Sequence, residues 1–403
     1  MGRNGEKMKK EHWLLIKFAT LTFVVFMGQA FTFTLILPYL ESLGFDVMSR
    51  MLITAFGAVL TIIGQFVVGY LCDKFKTDKK VFYITNIIFA LATWLLYSFN
   101  GNPVALIVLW TGLVSALFMI TQGVLDSWII ESDKYCLDNY GWIRAFGAIG
   151  WAAGAPLTSV AFERWGYASM GNAFLIFTVI SFVLAYFVAD VEKIATKEKI
   201  KLSDIKTLIL DRNFIILTLV FLFLHIASWT DGMVTILKIG DLGKAAALSE
   251  AKVNSFINLK YSFQAICELP LFFLGGWLIK KFGSIKIVIF AALMLAVRFV
   301  LYGLAVTPEQ LVWSSGLQMV TFPLIMICSK ILIDEASPAH LKASGQLISA
   351  SVYGGMSSLV TPILCGWLAG SFSYDSILFG SAGLCIIPIV LLVVFARYKT
   401  QES

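Results

Sequence analysis

Charge is scarce in this sequence. Asp, Glu, Lys and Arg make up 14% of its 403 residues, where soluble domains carry roughly a quarter. A water-facing surface cannot be covered at that level, so a soluble globular fold is excluded. Histidine is scarcer still. His12, His225 and His340 stand far apart and supply neither a nucleophile–base pair nor a metal-ligand cluster, which argues against an enzyme. The six cysteines (Cys72, Cys136, Cys267, Cys328, Cys365, Cys385) contain no C-x-x-C pair, so neither a zinc site nor a disulfide framework is indicated. No G-x-x-x-x-G-K-[ST] phosphate loop occurs, and no polar stretch is long enough for a nucleotide-hydrolysing domain. No cofactor and no metal are therefore expected.

What fills the chain is apolar sequence: 59% of residues are hydrophobic. A bilayer's hydrocarbon core needs about 20 such residues per helix, and the hydropathy pattern predicts twelve spans. They lie near 13–37, 51–72, 81–98, 103–130, 142–162, 170–189, 213–237, 252–279, 285–306, 309–333, 343–368 and 374–396. The first is long enough to span and shows no small-residue cleavage site, so it reads as a helix and not as a removable signal. The predicted class is an all-α polytopic membrane protein. The longest polar run, 190–212, separates a six-helix half at 1–189 from a second at 213–403.

The net charge of +6 is not a nucleic-acid signature, because the basic residues alternate between loops. One set of loops holds Arg50, Arg164, Lys238, Lys244 and Lys252, and Lys17, Arg144, Lys260, Arg298 and Lys330 fall inside predicted helices. The other 21 of the 31 Lys and Arg lie on the opposite side. The positive-inside rule then puts both termini in the cytoplasm, in a cytoplasmic membrane.

An ionised group in hydrocarbon costs roughly 2.5–3.5 kcal/mol even on lenient insertion scales, so such groups face partners or water-filled cavities. Asp126, Arg144 and Trp151 stand at the facing ends of two apolar segments. Arg144, Gly147, Trp151 and Gly154 share one helical face, read as lining the substrate cavity of a transporter. Gln29, Thr32 and Thr34 touch either that cavity or a neighbouring helix. Glu268 and Arg298 are embedded in apolar sequence and read as functional or as a buried structural pair. Asp231, near the predicted outer end of its helix, suggests an interhelical charge pair with Lys260 as one candidate partner. His225 reads as a packed side chain.

The run Gly69-Tyr-Leu-Cys-Asp73-Lys74-Phe-Lys76-Thr-Asp-Lys79-Lys80 resembles the loop-2/3 signature of the major facilitator superfamily. A second copy, Gly276-Trp-Leu-Ile-Lys280-Lys281-Phe-Gly283, follows 207 residues later, about half the chain, as duplication of a half-transporter predicts. Lys76 replaces the signature's second glycine in the first copy, and Gly283 keeps it in the second. The resemblance implies two pseudo-symmetric six-helix bundles around a central cavity, with Gly69, Asp73, Lys74, Gly276 and Gly283 in loops that govern the conformational change.

The segment Tyr140-Gly-Trp-Ile-Arg144-Ala-Phe-Gly147-Ala-Ile-Gly150-Trp151, with Asp126 eighteen residues before its arginine, further resembles the sugar-binding segment of the lactose-permease family of oligosaccharide:H⁺ symporters. That likeness implies a carboxylate (Asp126) and a guanidinium (Arg144) reading sugar hydroxyls, an indole (Trp151) stacked on the ring, and Glu268 contacting both sugar and proton network. Glu268, Arg298 and Asp231 would carry proton coupling, with Arg298 tuning Glu268. The expected partners are a sugar or glycoside, a proton and the bilayer, with the chain acting as a monomer and no nucleic acid bound. A nucleoside or aromatic acid, or a drug in efflux, is the other substrate reading. The family's His-x-x-Glu pair on helix 10 is absent: Gln318 and Thr321 stand there, and Tyr353-Gly354-Gly355 stands where helix 11 of the family has a lysine.

Overall fold

The computed structural model describes residues 2–98, 103–190, 208, 210–338 and 341–401. Side chains are described from Glu11 onward, apart from those of Asp73, Ala343, Ser344, Leu347 and 397–401. Most of the polar run between the halves (191–207 and 209), together with His340, lies outside the described residues.

Among the described residues there is no strand, and twelve helices are long and apolar enough to cross a membrane. They are α1 (Glu11–Ser42), α2 (Val47–Cys72), α3 (Asp78–Ser98), α4 (Val104–Ser132), α5 (Tyr140–Trp165), α6 (Ala168–Tyr186), α7 (Arg212–Ala245), α8 (Glu250–Phe282), α9 (Ser284–Leu304), α10 (Pro308–Ala336), α11 (Ile348–Ala369) and α12 (Tyr374–Ala396). Each overlaps the corresponding predicted span, most with shifted ends.

The largest shift is at α7, which runs to Ala245 instead of ending near 237. Two expectations change with it. Asp231 sits in the middle of its helix and not near an end. Lys238 and Lys244, expected in a loop, are helical. Lys238 is 4% exposed between buried Leu237 and Ile239. Its charge is met inside the fold: Nζ donates to the carbonyls of Tyr302 (2.7 Å) and Gly303 (2.9 Å) and pairs with Asp375 at 2.6 Å. Those carbonyls end α9, and Asp375 lies in the first turn of α12. One ammonium thus satisfies the carbonyls that a helix C-terminus leaves orphaned and draws three helices together.

The chain forms two compact units. Unit one comprises Met1–Phe45, Phe56–Thr196 and Glu250–Ile266; unit two comprises Asp46–Ala55, Lys197–Ser249 and Cys267–Ser403. Within unit one, α1 packs on α5 and α6, and α3 on α4 and α6. Within unit two, α7 packs on α11 and α12, and α9 on α10 and α12. Each pairing in the second unit is the first-unit pairing advanced by six helices, which is what a duplicated bundle requires.

The α1–α5 contact is a backbone-to-backbone one. A Cβ on Gly150 would stand 2.2 Å from the Phe23 carbonyl oxygen, and one on Gly154 2.5 Å from that of Met27. Small residues that let helices touch are the main packing device in lipid, where burial against a neighbour gains little over burial in hydrocarbon. Gly154 therefore belongs to the helix contact and not to an open wall.

The two signature loops share a positive φ at the matching position, although two non-helical residues (76–77) separate the helices in the first copy and one (283) in the second. Gly283 has φ +86°, and Lys76, at the matching place in the first copy, has φ +52°. Only glycine takes positive φ without cost, so the first copy keeps a positive-φ residue after losing the glycine suited to it. The same loop secures the end of α6. Lys79 Nζ donates to the carbonyls of Tyr186 (3.1 Å) and Val188 (2.6 Å), Lys17 Nζ to Phe187 (2.9 Å) and Trp128 Nε1 to Ala189 (3.0 Å). Asp190, the next residue, accepts from Thr77 Oγ1 at 2.5 Å.

Candidate functional site

In unit one the embedded polar groups converge from α1, α4 and α5. Asp126 and Arg144 are both half-buried, and Tyr140 interacts with both. Tyr140 lies one helical turn before Arg144, so both project from the same face of α5. Gln122 lies one turn before Asp126 on α4, and Arg144 Nη2 donates to its Oε1 at 3.3 Å. Gln122 Nε2 donates to Gln29 Oε1 (2.9 Å), and Gln29 Nε2 to Thr121 Oγ1 (3.0 Å). The guanidinium carbon lies 4.1 Å from the centre of the Phe26 ring on α1, a cation–π distance. A Cβ on Gly147 would come within 2.9 Å of Arg144 Nη1, so this glycine leaves room for the arginine to fold along its own helix.

Trp151, two turns further along α5, is half-buried. Phe118 on α4 and Tyr261 on α8 meet it edge-on, with centroids 5.7 and 6.2 Å away at 70° and 85°. Neither ring lies parallel over the indole. The first half of α8 is held to α5 by Asn258 Nδ2 donating to Ser159 Oγ (2.8 Å) and Ser262 Oγ to the Ala152 carbonyl (2.7 Å). Lys260, on that segment, is fully buried beside Gln264 and the Tyr261 ring.

Unit two holds a second polar cluster. Asp231 Oδ2 and Arg298 Nη2 form an ion pair at 3.1 Å between groups 3% and 1% exposed. Arg298 Nη1 also donates to Gln318 Oε1 and, at 3.1 Å, to Thr321 Oγ1. The sequence reading pairs Arg298 with Glu268; the ion pair described for Arg298 is with Asp231 of α7. Glu268 is half-buried on α8.

The acceptors on α10 stand where the helix changes form. It tightens to a 3₁₀ turn over Ser315–Val320 and breaks at Thr321 (φ −114°, ψ −78°) before resuming at Phe322. On α11, Ser351–Met356 form a π turn, and its Tyr353 ring lies 4.5 Å from that of His225 at a 40° tilt; His225 Nδ1 lies 2.9 Å from the Phe221 carbonyl. His225 is packed, as expected. Such irregular turns inside helices often mark functional sites.

Of the loop residues singled out, Gly283 has the positive φ already described. Lys74 lies over the Tyr70 ring at 5.7 Å. Gly69 and Gly276 have open space where a Cβ would stand. The side chain of Asp73 lies outside the described residues. Gln122, Tyr140 and Tyr261 were not anticipated. For the first two the signal was present as one-turn spacings to Asp126 and Arg144.

The profile of the MFS_1 like family matches residues 15–379. The chain belongs to that family. It is a multi-pass membrane protein and a secondary transporter of the major facilitator type, not an enzyme. Two solved structures of the nucleoside transporter NupG, one of them a point mutant, share its fold. Their TM-scores are 0.79 and 0.80 at 16% identity, covering 96% and 95% of this chain and 99% of theirs. That likeness concerns the fold; it does not single out the oligosaccharide:H⁺ subtype. No curated protein sequence matches the chain.

Proposed function

We propose that this transporter takes up a sugar or glycoside together with a proton, by alternating access of the halves 1–189 and 213–403 joined through 190–212. The observation that carries the substrate class is the convergence of Asp126, Tyr140 and Gln122 on Arg144, which stands two turns before Trp151 on α5. A guanidinium fork and a carboxylate bind vicinal hydroxyls as paired donor and acceptor, and an indole covers the apolar face of a ring. Substrate contacts are assigned to Asp126, Arg144, Trp151 and Glu268.

The second reading is a nucleoside, which is itself an N-glycoside offering ribose hydroxyls and a planar base. The fold shared with NupG favours it. Proton coupling is assigned to Glu268, Asp231 and Arg298. One charge moving down 100 mV releases about 2.3 kcal/mol, enough for roughly fifty-fold accumulation. In this reading the chain works as a monomer in the cytoplasmic membrane with both termini inside, and the signature loops (Gly69, Asp73, Lys74, Gly276, Gly283) govern the conformational change.

The test is uptake of radiolabelled 4-nitrophenyl β-galactoside and uridine by transport-deficient cells expressing the chain. Trp151→Tyr should retain much of the uptake and Trp151→Ala lose most of it. Arg144→Lys should fail, since an ammonium cannot reproduce the fork. Uptake that survives both Trp151→Ala and Arg144→Lys would move the substrate site elsewhere.

A further inference from the structure

The side chains of Thr121, Gln29 and Gln122 form a hydrogen-bonded chain that ends on Arg144, and its direction is fixed from both ends. Thr121 directs its single hydroxyl proton to the carbonyls of Leu117 (2.7 Å) and Phe118 (3.3 Å). Toward Gln29 its oxygen is therefore an acceptor only. Gln29 must turn Nε2 to Thr121, which leaves Oε1 for Gln122 Nε2 and in turn Gln122 Oε1 for Arg144. A guanidinium has donors and no acceptor, so the other end demands the same orientation. Reversing either amide would set donor against donor, in a place where Gln29 has no exposed surface.

We propose that Gln29 and Gln122 are positioning residues: the polarised chain from α1 through α4 holds one edge of the Arg144 guanidinium and aims the remaining N–H groups at substrate. The inference rests on the reading of Arg144 as a substrate donor. The Phe26 ring and the space at Gly147 set the plane of the group, and Gln122 sets its rotation. Polar packing alone would make substitutions along the chain act independently. A polarised chain makes them interdependent. Gln29→Leu removes the acceptor that orients Gln122, whose amide is then free to turn a donor toward Arg144. Gln122→Glu presents an acceptor in every orientation, so Gln29→Leu should have no effect on Arg144 in that background.

Arg144 can be read directly, without a substrate, in the purified full-length protein. Phenylglyoxal modifies guanidinium groups, and peptide mass spectrometry gives the rate at Arg144, with buried Arg298 as internal reference. Gln29→Leu should raise the Arg144 rate about tenfold, equivalent to about 1.4 kcal/mol, and should leave it unchanged when combined with Gln122→Glu. Thr121→Val, close to isosteric, should act in the same direction and replaces Gln29→Leu if that variant does not fold. Whichever of uridine or 4-nitrophenyl β-galactoside the wild type carries should show an apparent KM raised about tenfold in Gln29→Leu, with maximal rate changed by less than about twofold. Unchanged Arg144 reactivity in these variants, or an equal rise in the Gln122→Glu background, overturns the proposal. Should neither solute be carried while the reactivity pattern holds, the positioning of Arg144 stands and the substrate assignment falls.

Discussion

Asp231→Asn isolates the buried ion pair of unit two. The substitution keeps the shape of the side chain and a carbonyl acceptor while removing the charge that faces Arg298. Breaking one partner of a buried pair costs about 3–5 kcal/mol, because the remaining charge is left in a low-dielectric site. Arg298 retains Gln318 and Thr321 as neutral acceptors, which places the loss at about 3 kcal/mol, the low end of that range. At 2–4 °C per kcal/mol for a body of 150–250 residues, the melting temperature in detergent should fall by roughly 6–12 °C. The double variant Asp231→Asn/Arg298→Gln removes both charges and leaves neutral groups able to bond one another. It should recover at least half of the loss, as neutral replacement of buried pairs usually does. Fluorescence-detected size exclusion after a heating series measures all three proteins. A single variant as stable as wild type, or a double variant no better than the single, would refute the reasoning, since either would mean that Arg298 does not depend on Asp231 for its charge balance.

The other predictions concern transport and stability. Glu268→Gln should abolish uphill accumulation while counterflow exchange partly survives; a wild type that neither accumulates solute nor acidifies the vesicle interior on uptake would leave Glu268 without a coupling role. Lys238→Met removes the ion pair with Asp375 and two charge-assisted bonds to the end of α9, partly offset by relief of a buried charge, for a net loss of about 2 kcal/mol; an unchanged melting temperature would show that the ammonium contributes nothing there. Lys76→Gly relieves a left-handed residue and should stabilise the protein by roughly 1 kcal/mol; a lower melting temperature would mean that the lysine side chain outweighs its backbone strain.

The bundle was legible in the sequence because hydrocarbon leaves the chain few alternatives. Backbone groups in lipid must bond within their own helix, so a run of apolar residues fixes both the element and its approximate length. The duplication was legible at Gly69 and Gly276, and the shared positive φ at Lys76 and Gly283 makes the same point in the backbone. Asp126 and Arg144 stood out because charge in such a run is costly. Gln29 was left between cavity and helix contact, and Gln122 and Tyr140 were not singled out, since neutral polar residues in membrane helices serve packing as readily as binding, and only their mutual distances distinguish the two. The end of α7 was misplaced for a related reason. A lysine following an apolar run ordinarily marks the interface, but Lys238 is neutralised within the fold by Asp375 and two carbonyls.

The departure at helix 10 acquires a physical meaning from Arg298. The sequence showed Gln318 and Thr321 where the resemblance called for a titratable pair, which suggested that proton machinery had been lost. In the structure both residues accept from the Arg298 guanidinium, at the segment where α10 narrows and breaks. They supply hydrogen bonds without charge, and the carboxylate that the described contacts place on this arginine is Asp231 of α7. Had α10 kept a carboxylate, Arg298 would have two anionic partners, and protonating one would leave it neutralised by the other. Protonation of Asp231 would remove that charge and leave the buried arginine bonded to neutral Gln318 and Thr321 on a helix that is already irregular. Under the proposed coupling, one proton on Asp231 would change the balance between α7, α9 and α10. Substituting Gln318 by Glu would therefore be expected to tighten the cluster and blunt its response to Asp231→Asn.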